Sequence, residues 1–329
     1  MKLIHFGAGN IGKGLIGCVL SQQVDLIYFV DNNKKVVDQL NKQKVIKIKT
    51  SEQKQYIINN FKSYLLSDFL KYKNTWDEIN LITISIGVNN LDHIKQYIQK
   101  IIDYKSAKQQ ELIVMCCENK IRVSSWFKTK FNNLTSYIHF VDVLVDRIIP
   151  IQNNMSDFLE CEDYYLWAVD NKQWPKDVDK LKHLKYVDDF DNQIDKKIYM
   201  LNAIHCSISW YVFKNIGYQK CKTIYQAMQI KEVDDFVNDY LDEVIMVLNH
   251  KLNIEIKNLI DYKKEIINRL NNKFIDDDLK RLARNSQLKL SENERILFSL
   301  NYAKTNNLKH KVIQLSYENG LVYLKENEN

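Results

Sequence analysis

Lys2-Leu-Ile-His-Phe6 runs directly into Gly7-Ala8-Gly9-Asn10-Ile11-Gly12, and an amphipathic stretch over residues 11–20 follows. A short apolar run, a GxGxxG turn and a helical period, in that order, are the first strand-turn-helix step of a dinucleotide-binding unit. Gly7 is expected to make the tight turn, Gly9 to let the backbone approach a pyrophosphate, and Gly12 to let helix and strand pack closely. Ala8, Asn10 and Ile11 complete the predicted cofactor-binding turn, and the helix start offers unpaired N–H groups to the anion. The chain holds 8 glycines, where about 23 would be average for its length, and five of them fall in residues 7–17. Glycine is kept where something requires the absence of a side chain.

Outward from this turn, the second apolar run, residues 26–30, ends at Asp31, nineteen positions after Gly12. A carboxylate there accepts hydrogen bonds from an adenosine ribose and repels a 2′-phosphate, which selects NAD over NADP. Further apolar runs at 79–86, 112–117 and 137–145 predict buried strands, with a helical pattern over 91–102 between them. Gly87 follows the strand ending at Ile86, where a sheet-edge loop would pass close to the dinucleotide. Alternating strands and helices predict a parallel sheet covered on both faces.

After about residue 185 the pattern becomes helical only. Val233, Phe236, Val237, Tyr240, Leu241, Val244 and Leu248 keep the i, i+3, i+4, i+7 spacing of one buried face, and further helices are predicted over 198–213, 259–270 and 292–304. The fold class is therefore α/β, with a Rossmann-type N-terminal domain over residues 1–187 and a mostly α-helical C-terminal domain over 188–329. The polar segment 176–195 marks the boundary.

Composition sets outer limits. The net charge of +6 comes without a dense basic block, so nucleic acid is not an expected partner. No run approaches the ~18 apolar residues of a membrane span. The strand pattern starting at residue 2 leaves no room for a leader, and a cytoplasmic location is expected. The six cysteines form no CxxC pair and have no histidine at zinc-finger spacing, so reduced thiols and no metal are expected.

The chemistry-bearing stretch is Lys197-Ile-Tyr-Met-Leu-Asn202-Ala-Ile-His205. On an α-helix, His205 lies about 80° and Asn202 about 140° from Lys197, so the three share one face. Oxidising an alcohol needs a base for the hydroxyl proton and a donor for the developing alkoxide. A lysine in a low-dielectric pocket supplies the first and an asparagine amide the second, without a metal.

Several blocks together resemble the polyol-specific long-chain dehydrogenases, the mannitol dehydrogenase family. They are the first seventeen residues, Cys117-Glu-Asn119, Val145-Asp-Arg-Ile-Ile-Pro150, and Lys197 with Asn202 and His205, in the family's order across nearly the whole chain. The resemblance implies a Rossmann-type domain, a helical domain and an active site between them. It implies Lys197 as general base, Asn202 as alkoxide stabiliser, His205 as a substrate-holding residue, and Asn119 near the nicotinamide. Asp142 stands where free-polyol members carry a second asparagine and phosphate-specific members an aspartate. Arg281 and Lys289, in the segment that starts at Asp276, fall at the spacing of the family's substrate-binding pair. Arg284 lies one turn from Arg281, and His310 resembles a retained histidine near the C-terminus. Arginine and lysine together suit a phosphate dianion.

The implied reaction is NAD-dependent interconversion of D-mannitol 1-phosphate and D-fructose 6-phosphate, with a small sugar or polyol phosphate as partner and a monomeric chain. Sister activities on a free polyol or a hexuronate stay open, as does a non-catalytic NAD sensor. Leu288 and Ala283 depart from the family pattern in the substrate segment, and the chain is shorter than most members.

Overall fold

The computed structural model describes residues 1–150, 157–274, 277–292 and 294–327. The chain divides into two compact units, Met1–Phe190 and Asp191–Asn329.

The first unit is built from β1 (Lys2–Phe6), β2 (Leu26–Asp31), β3 (Ile46–Thr50), β4 (Gln55–Ile58), β5 (Phe61–Leu65) and β6 (Ile79–Ile84). It continues through β7 (Leu112–Cys116), β8 (Ile138–Phe140), β9 (Val143–Asp146), β10 (Leu159–Cys161), β11 (Leu166–Asp170) and β12 (Lys185–Val187). Helices α1 (Cys18–Leu20), α2 (Lys34–Gln43), α3 (Leu91–Ala107) and α4 (Val123–Lys128) run between the strands. Six strands form one parallel sheet in the order β5-β2-β1-β6-β7-β8. The order reverses at β1, and beside such a switch point doubly wound sheets hold their ligands.

Side chains alternate between two cores, as a period of two requires. Leu3, Ile27, Phe29 and Leu81 enter one core, while Ile4, Tyr28, Ile82 and Val114 enter the other with Ile94, Ile98 and Ile101 of α3. Both faces are buried, so the central strands read as continuous apolar runs.

Three local features differ from the sequence expectation. The run 137–145 is two strands, because the chain leaves the large sheet at Asp142. There β8 ends and β9 begins an antiparallel pairing with β11. The hairpin β3-β4 and strand β5 carry too many polar residues on their exposed sides to stand out as apolar runs. The helix expected over 11–20 opens as a π-helical turn, Gly12–Gly17, before α1.

The second unit is helical: α5 (Phe190–Lys196), α6 (Ala203–Asn215), α7 (Ile224–Met228), α8 (Lys231–Leu252), α9 (Ile256–Leu270), α10 (Leu279–Ala283), α11 (Ser286–Lys289), α12 (Leu297–Thr305) and α13 (Lys311–Asn327). Residues Lys197–Asn202 form a second π-helical turn between α5 and α6. The expected face of α8 is the buried one. Helix α13 lies close on α6, since a Cβ at Gly320 would come within 2.9 Å of the Trp210 ring.

Candidate functional site

The glycine turn is shaped by two different demands. Gly7 has φ +105°, and a Cβ there would sit 2.4 Å from the Ser85 carbonyl oxygen; one at Gly12 would sit 2.0 Å from the Gly7 carbonyl oxygen. Both positions exclude side chains for the protein's own packing. Gly9 is the opposite case, because a Cβ there meets nothing within 4 Å. Its bare backbone faces open space beside the N-terminal end of the helix, the arrangement that suits an approaching pyrophosphate.

That space belongs to a cavity of about 260 Å³ whose walls include Gly7, Gly9, Asp31, Ser85, Ile86 and His93. Asp31 accepts from the Ala8 N–H at 2.7 Å and from the Asn33 N–H at 2.8 Å. The carboxylate thus ties the glycine turn to the end of β2 while lining the cavity where a ribose would lie. An open glycine, a helix start and a carboxylate at the end of β2 fit a dinucleotide. Lys13, in the same turn, has an ammonium whose pKa burial lowers and the Asp31 charge raises, with burial the larger effect. It sits within the family-like opening, and sequence reasoning assigned it no role.

Gly87 has φ +87° and donates its N–H to Glu118 Oε1 at 2.7 Å, as does Ile86 at the same distance. Glu118 therefore clasps the loop after β6 to the loop after β7, which also carries the exposed Asn119. Burial pushes the Glu118 carboxyl up, against these two bonds. The sequence signal for Glu118 was its place inside Cys117-Glu-Asn119.

Asp142 is 1% exposed. Its carboxylate accepts from Ser125 N–H at 2.9 Å, Ser125 Oγ at 2.6 Å, Gln173 Nε2 at 3.1 Å and Arg122 Nη1 at 3.2 Å. Arg122 also pairs with Asp170 at 2.8 Å. These bonds brace the turn between β8 and β9 against the start of α4, and a substrate contact would have to replace one of them.

In the second unit Lys197 opens the π-helical turn and is 5% exposed, while Asn202 closes it, half-buried. The 100° step of an α-helix does not apply across this turn, which takes more residues per revolution. The relative angles expected for Lys197, Asn202 and His205 are therefore corrected. π-Turns occur frequently at functional sites. Among the described residues there are two in this chain, at the glycine turn and here.

His205 Nδ1 lies 2.6 Å from the Leu201 carbonyl oxygen, an acceptor, so Nδ1 carries a proton. Lys251, at the end of α8, bonds Asp195 at 2.8 Å and lies 4.5 Å from the Phe298 ring centroid, and Phe298 stacks on Tyr199 of the π-turn. The turn is anchored on both sides of Lys197.

The basic segment is less open than its sequence implied. Arg281 Nε bonds Asp277 Oδ1 at 2.7 Å, and Nη2 reaches Oδ2 of the same carboxylate. Lys289 Nζ donates to the Leu282 carbonyl oxygen at 2.6 Å, and Arg284 is exposed at the end of α10. Asp276 lies outside the described residues. Burial pushes the Cys206 thiol up, while the charges of Arg295 and Lys289 oppose that shift. Both charges therefore act on the residue next to His205, and Arg295, which pairs with Glu294 at 3.2 Å, is one to which sequence reasoning gave no role. His310 Nδ1 bonds the Leu308 carbonyl oxygen at 2.7 Å, beside a groove that Lys309 and Lys311 also line.

Comparison with known proteins identifies the family of both units. The family model described as mannitol dehydrogenase Rossmann domain matches residues 1–183, and that for the mannitol dehydrogenase C-terminal domain matches residues 189–329. A mannitol-1-phosphate 5-dehydrogenase of Mycoplasma mycoides subsp. mycoides SC is 59% identical over 328 residues, covering 100% of each chain. A substrate-free D-sorbitol dehydrogenase structure is similar at a TM-score of 0.75 and 16% identity, over 98% of this chain and 80% of that one. The Pseudomonas fluorescens mannitol 2-dehydrogenase ternary complex with NAD and D-mannitol has a TM-score of 0.69 at 16% identity, over 99% and 79%. At such identities the likeness speaks for the fold.

Proposed function

The chain belongs to the mannitol dehydrogenase family, and from that premise we propose that it catalyses the NAD-dependent interconversion of D-mannitol 1-phosphate and D-fructose 6-phosphate. The observation that carries the substrate is the relative of that activity, 59% identical over the full length of both chains. The open glycine turn and Asp31 support NAD as the cofactor, and they disfavour a 2′-phosphate.

When bound, NAD accepts or returns the hydride. In the direction of oxidation Lys197 takes the proton of the reacting hydroxyl, and its buried position is a setting in which an amine serves as base. The Asn202 amide donates to the oxygen as it gains negative charge. His205, with Nδ1–H committed to the Leu201 carbonyl, is oriented to help hold the substrate. In reduction Lys197 returns the proton to the ketose oxygen. No metal has a part in this scheme.

The substrate phosphate is proposed to meet Arg284, Lys289 and Arg281, with His310 as a further contact. Arg281 serves by sharing or exchanging its Asp277 partner for the phosphate. Asp142 contributes by holding Ser125 and Arg122, and Asn119 and Gly87 by their loops beside the dinucleotide.

Oxidation of NADH by the purified chain, followed by absorbance with D-fructose 6-phosphate, tests the proposal. Turnover with the phosphate ester and little with D-fructose is the expected result. Equal rates with both sugars overturn phosphate recognition, and a hexuronate as the better substrate overturns the assignment.

A further inference from the structure

Beneath the glycine turn lies a buried histidine that neither cofactor binding nor catalysis, as described so far, uses. His5 of β1 is 0% exposed, and its ring meets that of Phe29 edge-on with centroids 5.8 Å apart. Nδ1 lies 2.7 Å from Thr83 Oγ1 and Nε2 lies 3.0 Å from Ser85 Oγ. The register explains this geometry, since His5 pairs with Thr83 across the parallel ladder and residues 83 and 85 face the same side.

Burial holds the ring neutral, with the imidazolium pKa pushed down to about 3. A neutral imidazole has one N–H and one bare nitrogen. The Thr83 and Ser85 hydroxyls lie one at each ring nitrogen, so one can donate to the bare nitrogen and the other receive from the N–H, which the Gly7 and Thr83 backbone carbonyls also attract. Ser85 is the one of the two at the cavity, where it lines the wall with Gly7, Gly9 and Asp31. Its N–H is already bonded to the Phe6 carbonyl at 2.9 Å, and its carbonyl oxygen is the atom that forbids a side chain at Gly7. The backbone of Ser85 is thus held in place within the wall of the dinucleotide space.

We propose that the Ser85 hydroxyl donates to a phosphate oxygen of the dinucleotide's pyrophosphate, and that His5 is the positioning residue that aims it by donating from Nε2. The inference rests on the dinucleotide reading of this turn. Its polarity follows from the ligand: phosphate oxygens accept, so a hydroxyl facing them has to donate. Its own oxygen then receives the Nε2–H, and Nδ1 accepts the Thr83 hydroxyl proton. His5 is also tied to the turn sterically, because a Cβ at Gly12 would come within 2.6 Å of Nε2. One ring supports the glycine turn from below and orients a hydroxyl beside it.

Equilibrium binding of NADH to the full chain, followed by its fluorescence, tests this. Ser85→Ala is expected to weaken binding about ten- to a hundredfold, the effect of one lost hydrogen bond to a charged group, with little change in melting temperature. His5→Gln is expected to weaken binding in the wild-type background and to add nothing in the Ser85→Ala background, because a residue acting through another shows full coupling in a double-mutant cycle. Nitrogen NMR of the His5 side chain is expected to report the Nε2–H tautomer. Ser85→Ala binding within about twofold of wild type, well short of one lost bond, overturns the contact. Additive effects, or the Nδ1–H tautomer, overturn the role of His5. A wild-type chain that binds no NADH overturns the cofactor reading itself, which is a different result.

Discussion

Arg147 donates from Nη1 to the carbonyl oxygen of Gly14 at 2.7 Å, joining the segment after β9 to the π-turn behind the glycine loop. Its Nε also bonds the Glu162 carbonyl oxygen at 3.0 Å, and the side chain is 6% exposed. Arg147→Met would leave two carbonyls without this donor. We expect a loss of about 2–4 kcal/mol in stability, read by chemical denaturation, together with a higher KM for NADH. A variant of wild-type stability would show that the bond is dispensable.

The glycines at 9 and 12 separate binding from folding. Gly9→Ala adds a methyl group to open space, so stability should change by less than about 0.5 kcal/mol, while NADH affinity falls about tenfold or more, some 1.4 kcal/mol. Gly12→Ala places its Cβ 2.0 Å from the Gly7 carbonyl oxygen and should compromise folding itself. Thermal melts alongside NADH titrations distinguish the two.

His5 makes stability depend on acid. Its folded pKa, about 3, lies below the unfolded value of 6.5, so the unfolded chain binds the proton more readily. The contribution is complete above pH 6.5 and is lost as pH falls towards 3, at about 1.4 kcal/mol per pH unit. His5→Gln should flatten this part of the stability-pH curve, as measured by urea denaturation between pH 4 and 7.

Lys197→Met removes the proposed base without emptying its buried site. Turnover should fall about 10²- to 10⁴-fold with NADH affinity nearly unchanged. A variant keeping most of its turnover would refute the proton-transfer role.

In the proposed phosphate site, Asp277 competes with the substrate for Arg281. Asp277→Asn would weaken that pairing, so KM for D-fructose 6-phosphate should fall several-fold, whereas Lys289→Met should raise it about tenfold, close to 1.4 kcal/mol. Steady-state kinetics with and without the phosphate group on the sugar read both effects.

The parallel sheet and the face of α8 were legible because burial on two faces, or on one helical stripe, writes itself as runs and periods of apolar residues. The glycine turn was legible because steric exclusion leaves only one residue type. Strand β5 and the hairpin β3-β4 were not, since Lys62, Lys47 and Lys49 interrupt their apolar positions. The break at Asp142 was hidden inside an apolar run because its cause is a set of partners from distant segments, Ser125, Gln173 and Arg122.

The sequence by itself determined where the dinucleotide turn lies, which strand carries its acidic residue, and which short stretch holds the lysine, asparagine and histidine of the proposed chemistry. These depend on neighbours a few residues apart. Tertiary structure decided that Gly9 is the open glycine and Gly12 the crowded one, and that Arg281 already holds a carboxylate. It also decided that Lys197 begins a π-turn and that His5 reaches Ser85. Each of these rests on atoms brought together from separate segments or on a local change of helical step, and neither leaves a period in the chain.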